Sequence, residues 1–404
     1  MARKNGCELK IDLMCSGLRV PALVTPAVST GMRRTRAGLG SGLELIVRGR
    51  SRDTHVNAPV TERFARSSPY RLEEREDGLV IFDDRDGARF TVEVPPPPAW
   101  YGSTTSRGTT MSRLGVMQGT YLAVYVGKVC SFWTMEPPKR CAFCTTGLNV
   151  GNAEEAEKAV EDIVETATAA KRENGVTFVH FNSGFHSDSG VELVAPYVRA
   201  IKRGVGALVG VQLAPDPDLS KYDRLIDMGV EHFSFCYEFH DPDFFRKYLP
   251  GKDAHATQKR FFDAMEHTAR RLGKGRVSGE IIAGIEPLED TLRAIDYITS
   301  AGAFPTICIF RPLSGSDLEG RQPPSYADMR AVFAYAAEAL RKNGVPVGLA
   351  PNLEVSIVPT PADILDLGPD TPEFRLFVLK NRLMKRAAWP YFRWRMRRHD
   401  PGAF

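Results

Sequence analysis

Long apolar runs are missing from this 404-residue chain. Nowhere does it approach the roughly 20 uninterrupted apolar residues that a membrane-spanning helix needs. The opening MARKNGCELKIDLMCSGL has early basic residues but no sustained apolar core, so it does not read as a secretory leader. Cysteine is scarce: seven residues, an odd number, do not make a disulfide framework. The expected compartment is the reducing cytoplasm, where thiolates stay available to metal. Acidic residues are absent from one segment, since Arg375 to Arg398 carries nine basic residues and none of the opposite sign. Taking those nine from 53 basic residues leaves 44 against 49 acidic, so the body carries −5 although the whole chain carries +4. The basic balance is therefore no sign that the body binds nucleic acid.

What is present divides into three parts. Residues 1–115 hold short apolar runs at Leu43–Val47, Leu79–Phe82 and Phe90–Val94, a Gly/Arg-rich stretch at 32–42, and the tetraproline Pro95–Pro98. So many prolines and turn residues exclude long helices and predict a small, irregular, β-containing region. Residues 116–345 alternate short apolar strands with amphipathic helices. Strands are expected at Tyr121–Val126, Val176–Phe181, Ala207–Leu213, Phe233–Tyr237, Val277–Ala283 and Pro305–Phe310. The first helix is expected from an Asn152 N-cap. Strands apolar on both faces predict a parallel sheet, either doubly wound or a partial (βα)6 barrel of the TIM-like kind. Polar or glycine-rich residues follow most strands, which predicts one pocket at their C-terminal ends. Residues 346–404 form a C-terminal extension. Its valine-rich part, 345–358, suggests a last strand, and 374–398 suggests a helix up to a Trp389-Pro390 break, then an aromatic, basic tail.

The chemistry concentrates in Cys130, Cys141 and Cys144, which follow the first strand in the order CSFWTMEPPKRCAFC. A structural zinc normally takes four protein ligands. An Fe–S cluster held by three thiolates leaves one iron open to another ligand. Zinc remains an alternative if a distant His186, His240 or Cys236 supplies the fourth ligand. A third alternative makes Cys141 and Cys144 a redox pair, with Cys130 an ordinary thiol. Two features favour the cluster: the loop leaves the first strand, where a cofactor would face the pocket, and Phe143 could shield it from solvent.

A three-cysteine loop after the first strand of such an array resembles the radical S-adenosylmethionine (radical SAM) superfamily over roughly residues 118–320. The Cys141-Ala142-Phe143-Cys144 half keeps that family's pattern, whereas ten residues, not three, separate Cys130 from Cys141. The resemblance implies a [4Fe–4S] cluster on Cys130, Cys141 and Cys144, with SAM on the open iron. It implies reductive cleavage of SAM to a 5′-deoxyadenosyl radical, which abstracts hydrogen from a small-molecule substrate. It further implies an external electron donor such as flavodoxin or ferredoxin. Asn182-Ser183-Gly184 stands where the family has a glycine-rich turn for the SAM amine, without that turn's acid. Glu238 stands at the position of a polar SAM contact. In EIIAGIEPLED, Ile285 is the expected adenine-packing residue. Arg311, in a turn similar to the family's, would point a cation at the pocket mouth. The segment His240–Phe245 resembles the biotin synthase-like branch.

Other residues are less telling. Cys236 and Cys308 read as small buried apolar side chains. Gln212 and Glu280 face either way along their strands. The basic tail reads as a solvated helix able to meet an acidic partner, RNA or anionic lipid. Two functions of other classes stay open: a zinc-stabilised nucleic-acid-binding protein, and an Fe–S protein that uses SAM for non-radical group transfer.

Overall fold

A computed structural model of the chain describes residues 4–21, 31–34, 40–49, 52–76, 78–186 and 189–398. Part of the Gly/Arg-rich stretch, 35–39, lies outside the described residues. The chain is mixed α/β and is dominated by a seven-stranded sheet. Strands β1 to β6 (Met32–Arg34, Ser41–Val47, Thr54–Pro59, Tyr70–Arg75, Gly78–Asp83, Arg89–Glu93) make a separate antiparallel sheet. Strands β7 to β13 (Val116–Met117, Leu122–Tyr125, Phe178–Asn182, Leu208–Gln212, His232–Glu238, Val277–Ala283, Phe304–Ile309) lie side by side in sequence order. β7 and β8 form an antiparallel pair, and β8 to β13 are all parallel. β8 and β13 do not pair, so the sheet curls as an open half-barrel, the partial (βα)6 barrel predicted.

The helices that follow the strands lie where the apolar spacing placed them, for example Gln258–Leu272, Leu288–Ser300 and Tyr326–Lys342. The first is an exception, because it spans Val160–Asn174 and Asn152 does not cap it. Instead the Asn152 amide donates both ways into the preceding turn, from its backbone to Asn149 and from its side chain to Leu148.

An N-terminal helix, α1 (Gly6–Ser16), was not expected. Asn5 and Glu8 close it with a reciprocal capping box. Cys7, Ile11 and Cys15 enter the barrel core while Leu9 and Leu13 enter the core of the antiparallel sheet. A helix buried on two sides has no polar face to betray its period.

The valine-rich segment after the last barrel helix is not a strand. It runs irregularly over 345–362 and gives each backbone group to a different neighbour. Ser356 accepts from the Asn57 amide, Glu354 from the Thr120 amide, and Val355 from Lys10. Pro346, Pro351, Pro359 and Pro361 deny it a regular ladder. The C-terminal helix, α2 (Pro372–Arg395), continues through Pro390 instead of breaking there. The carbonyl that Pro390 leaves unpaired belongs to Arg386, an exposed residue, so the missing bond falls on the solvent side of the helix.

Candidate active site

One cavity of about 620 Å³ runs along the half-barrel, inside the ~300–1,000 Å³ range of small-molecule sites. Strand alternation decides its lining. β9 contributes Phe178, His180 and Asn182; β11 contributes Ser234, Cys236 and Glu238; β12 contributes Ser278, Glu280 and Ile282. Residues of one parity therefore face inward and their neighbours pack against the helices. Gln212 and Glu280 both face in, with Gln212 Nε2 2.5 Å from Cys236 Sγ and 3.5 Å from Glu280 Oε1. Cys236 is buried and Cys308 half-buried, and both line the cavity, so they are more than outer-core filler.

Cys130, Cys141 and Cys144 line the end of the cavity at the C-terminal tips of the strands. The insert between the first two forms a helical turn, Ser131–Thr134, that places Phe132 face to face with Phe185 at 4.6 Å. Gly251 admits this packing, since a Cβ there would meet the Phe132 ring at 2.5 Å. The Phe185 amide donates to Cys130 Sγ at 3.3 Å, and Thr146 meets Cys144 Sγ through its hydroxyl at 3.0 Å and its amide at 3.4 Å. Burial pushes the Cys130 thiol up, against the pull of the Phe132 and Phe185 amides. Burial pushes Cys141 up further, with the Lys252 charge opposing it. Among the described residues no three His, Cys, Asp or Glu side chains converge as a single-ion site requires. His186 and His240, the distant zinc ligands considered above, do not line the cavity, whereas Cys236 does.

The predicted SAM contacts separate into two groups. Phe143, Asn182, Ser183, Gly184 and Glu238 all line the cavity near the cysteines. Asn182 Oδ1 and Ser183 Oγ are buried with no hydrogen-bond partner. Buried polar atoms are ordinarily paired, so two orphans on one turn fit a polar ligand there. Gly184 gives its amide to the Tyr125 hydroxyl at 3.1 Å, and a Cβ on it would lie 2.4 Å from that of Cys130. Ile285, in contrast, is buried away from the cavity, and Ile282 lines it. Ile285 shares the parity of Ile281 and Ala283, which also face away from the cavity, and Gly284, at φ +100°, turns the chain beside it and packs under Pro324. Arg311 also points elsewhere than expected. It is buried against the antiparallel sheet, pairs with Glu62 and donates to the Ser41 carbonyl at 2.6 Å.

No pattern of residue types or spacing points to Lys252. Its ammonium donates to both Glu238 oxygens and to the Cys236 carbonyl, each at 2.6 Å. Glu238 sits past a register shift in β11 with φ +58°, an uncommon conformation for a side-chain-bearing residue. Burial raises its carboxyl to about 7, although Lys252 pulls the other way. Lys252 loses to burial but gains more from Glu238, Cys141 and Cys236, and is held charged.

Comparison with known proteins places this geometry. No family model matches the chain. It is 28% identical over 121 residues to bacteriochlorophyllide c C-7(1)-hydroxylase of Chlorobaculum limnaeum, covering 30% of each chain. It is 36% identical over 125 residues to biotin synthase of Cellvibrio japonicus, covering 27% of this chain and 34% of that one. Both are radical SAM enzymes. These similarities support the radical SAM superfamily for this chain. That superfamily's cofactors are a [4Fe–4S] cluster and S-adenosylmethionine. The matches span about a third of the length of these curated relatives. Among solved structures, HydG, a maturase of the [FeFe]-hydrogenase, aligns over 64% of this chain and 54% of its own, with 14% identity and a TM-score of 0.45. No described helix of this chain is long and apolar enough to cross a membrane.

Proposed function

We propose that this protein is a radical SAM enzyme acting on a small molecule held in the half-barrel. Cys130, Cys141 and Cys144 would hold the [4Fe–4S] cluster. Phe143, Asn182, Ser183, Gly184 and Glu238 would contact SAM, with Ile282 taking the apolar place first expected of Ile285. The observation that carries this reading is the meeting of three thiols and two unpaired buried polar atoms at one end of one cavity. When bound, the cluster and SAM supply reductive cleavage of SAM and hydrogen abstraction from a nearby C–H bond.

The chain's own residues bind, orient and exclude water. Lys252 fixes a positive charge beside Cys141 and favours its thiolate. Phe132, Phe143 and Phe185 shield the cysteine end, and Tyr391 and Phe392 of α2 close the other. Between the two, Gln212, Ser234 and Glu280 give a polar band inside an otherwise apolar lining, which would orient a substrate by its hydrogen-bonding groups. Residues 116–345 would thus carry the chemistry, 346–404 would supply one wall and the floor, and 1–115 would back that wall. Lys10 of the N-terminal part anchors it, pairing with Asp363 at 3.1 Å. The electron would come from an external donor of the flavodoxin or ferredoxin class.

Metal analysis tests the assignment. Anaerobically reconstituted protein should be brown, with about four irons per chain, and each single Cys→Ala change at positions 130, 141 and 144 should reduce that content. A colourless protein with one zinc per chain would overturn it.

A further inference from the structure

Eight large apolar side chains are exposed among the described residues, and six belong to α2: Leu376, Leu379, Leu383, Trp389, Tyr391 and Trp394. The helix has 24 residues and is therefore about 36 Å long. Its inner face is occupied. Asn381 accepts the Val347 amide at 2.8 Å, Met384, Ala388 and Phe392 line the cavity, and Arg395 pairs with Glu231 at 2.7 Å. The outer face carries a second series, Leu376, Leu379, Leu383, Ala387, Pro390 and Trp394, at spacings of three or four. That spacing makes one continuous apolar stripe on a helix. A row of arginines, Arg375, Arg382, Arg386 and Arg393, runs beside it. Arg375 meets the exposed Asp370; for Arg382, Arg386 and Arg393 the described residues supply no ion-pair partner.

We infer that α2 is a docking surface for an anionic lipid membrane. An apolar stripe flanked by arginines, with tryptophan and tyrosine at its margin, is the pattern of a helix lying in the plane of a bilayer interface. Charge selects the anionic leaflet, because nine basic residues and no acidic one lie between Arg375 and Arg398. The same charge opposes pairing with a second copy of this helix. The aliphatic crest opposes RNA, since leucine, alanine and proline offer no face on which a base can stack. The helix would insert shallowly and not span. Because its inner face is the cavity floor, docking would set that end of the cavity at the lipid boundary.

Vesicle flotation of the full-length protein tests this. Phosphatidylcholine vesicles containing phosphatidylserine should carry the protein upward, pure phosphatidylcholine vesicles much less, and added salt should release it. The L376S/L379S/L383S variant should lose flotation with an unchanged melting temperature, since all three positions are exposed. The R382E/R386E/R393E variant should bind at least about a hundredfold more weakly, since each of the three cations near such a surface contributes roughly a fivefold factor. Failure of the wild type to float with phosphatidylserine would overturn the inference. Flotation that the leucine variant retains would overturn it too, as would binding to single-stranded RNA or soluble polyglutamate in place of vesicles.

Discussion

Replacing Gly184 by alanine tests the cysteine pocket at its tightest point. A Cβ on residue 184 would lie 2.4 Å from the Cys130 Cβ, 2.8 Å from its Cα and 2.9 Å from the Tyr125 hydroxyl. Carbon atoms in contact sit about 3.5–4.0 Å apart, so the two loops must separate by roughly 1 Å. They are stitched together there. Ser131 donates to the Phe185 carbonyl at 2.9 Å, Phe185 donates back to Cys130 Sγ at 3.3 Å, and Gly184 donates to Tyr125 at 3.1 Å. Overpacking of this kind costs about 1–3 kcal/mol. In a chain of this size that lowers the melting temperature by only a few degrees. The larger effect falls on Cys130, whose position relative to the other two thiols must change. Gly184→Ala should therefore fold but retain well under the wild-type iron after anaerobic reconstitution. Gly190→Ala is the control, because its added Cβ would meet nothing closer than 3.5 Å. Wild-type iron content and melting temperature in Gly184→Ala would refute the placement of Cys130 against this turn.

Three further outcomes follow from buried charge. Lys252→Met should cost about 3–5 kcal/mol in urea unfolding, because Glu238 is left buried without its partner, and Lys252→Met/Glu238→Leu should recover much of that loss. Arg311→Ala should cost a similar amount by stranding Glu62, and should loosen the antiparallel sheet first, as read by hydrogen exchange over β2. Burial holds both Glu238 and Glu286 near 7, above the ordinary 4.5, so the folded state binds more protons than the unfolded between those values. Their contribution is then present in full below about 4.5 and is lost as pH rises through 7, by up to roughly 3 kcal/mol each. Glu286→Gln should flatten the slope of stability against pH over that window, and an unchanged slope would count against the burial argument.

Much of the barrel was legible because its strands are short, apolar and regularly spaced. Val277–Ala283 is a strand from end to end as read, and the other five expected strands lie within a residue or two of their expected limits. Five of the six expected SAM contacts reach the cavity, Asn182 and Glu238 at the ends of β9 and β11, Ser183 and Gly184 in the turn after β9, and Phe143 in the cysteine loop. Ile285 failed because it shares the parity of Ile281 and Ala283, which face away from the cavity. Lys252 was invisible because nothing in the sequence pattern shows that its short helix, Pro250–His255, folds back onto Glu238 from 14 positions along the chain. Arg311 was misread because its partner, Glu62, comes from a region whose docking no local pattern records. Helix α1 was missed because two cores share it, and the 345–362 wall because its prolines and scattered partners leave no periodic signal.

The central claim is that the three-cysteine end of the cavity activates S-adenosylmethionine. The direct measurement is chromatographic detection of 5′-deoxyadenosine after the reconstituted, reduced protein is incubated with SAM. The wild type should form 5′-deoxyadenosine and methionine, and Cys130→Ala neither. A fully loaded, reduced wild-type protein that forms no 5′-deoxyadenosine would contradict the claim.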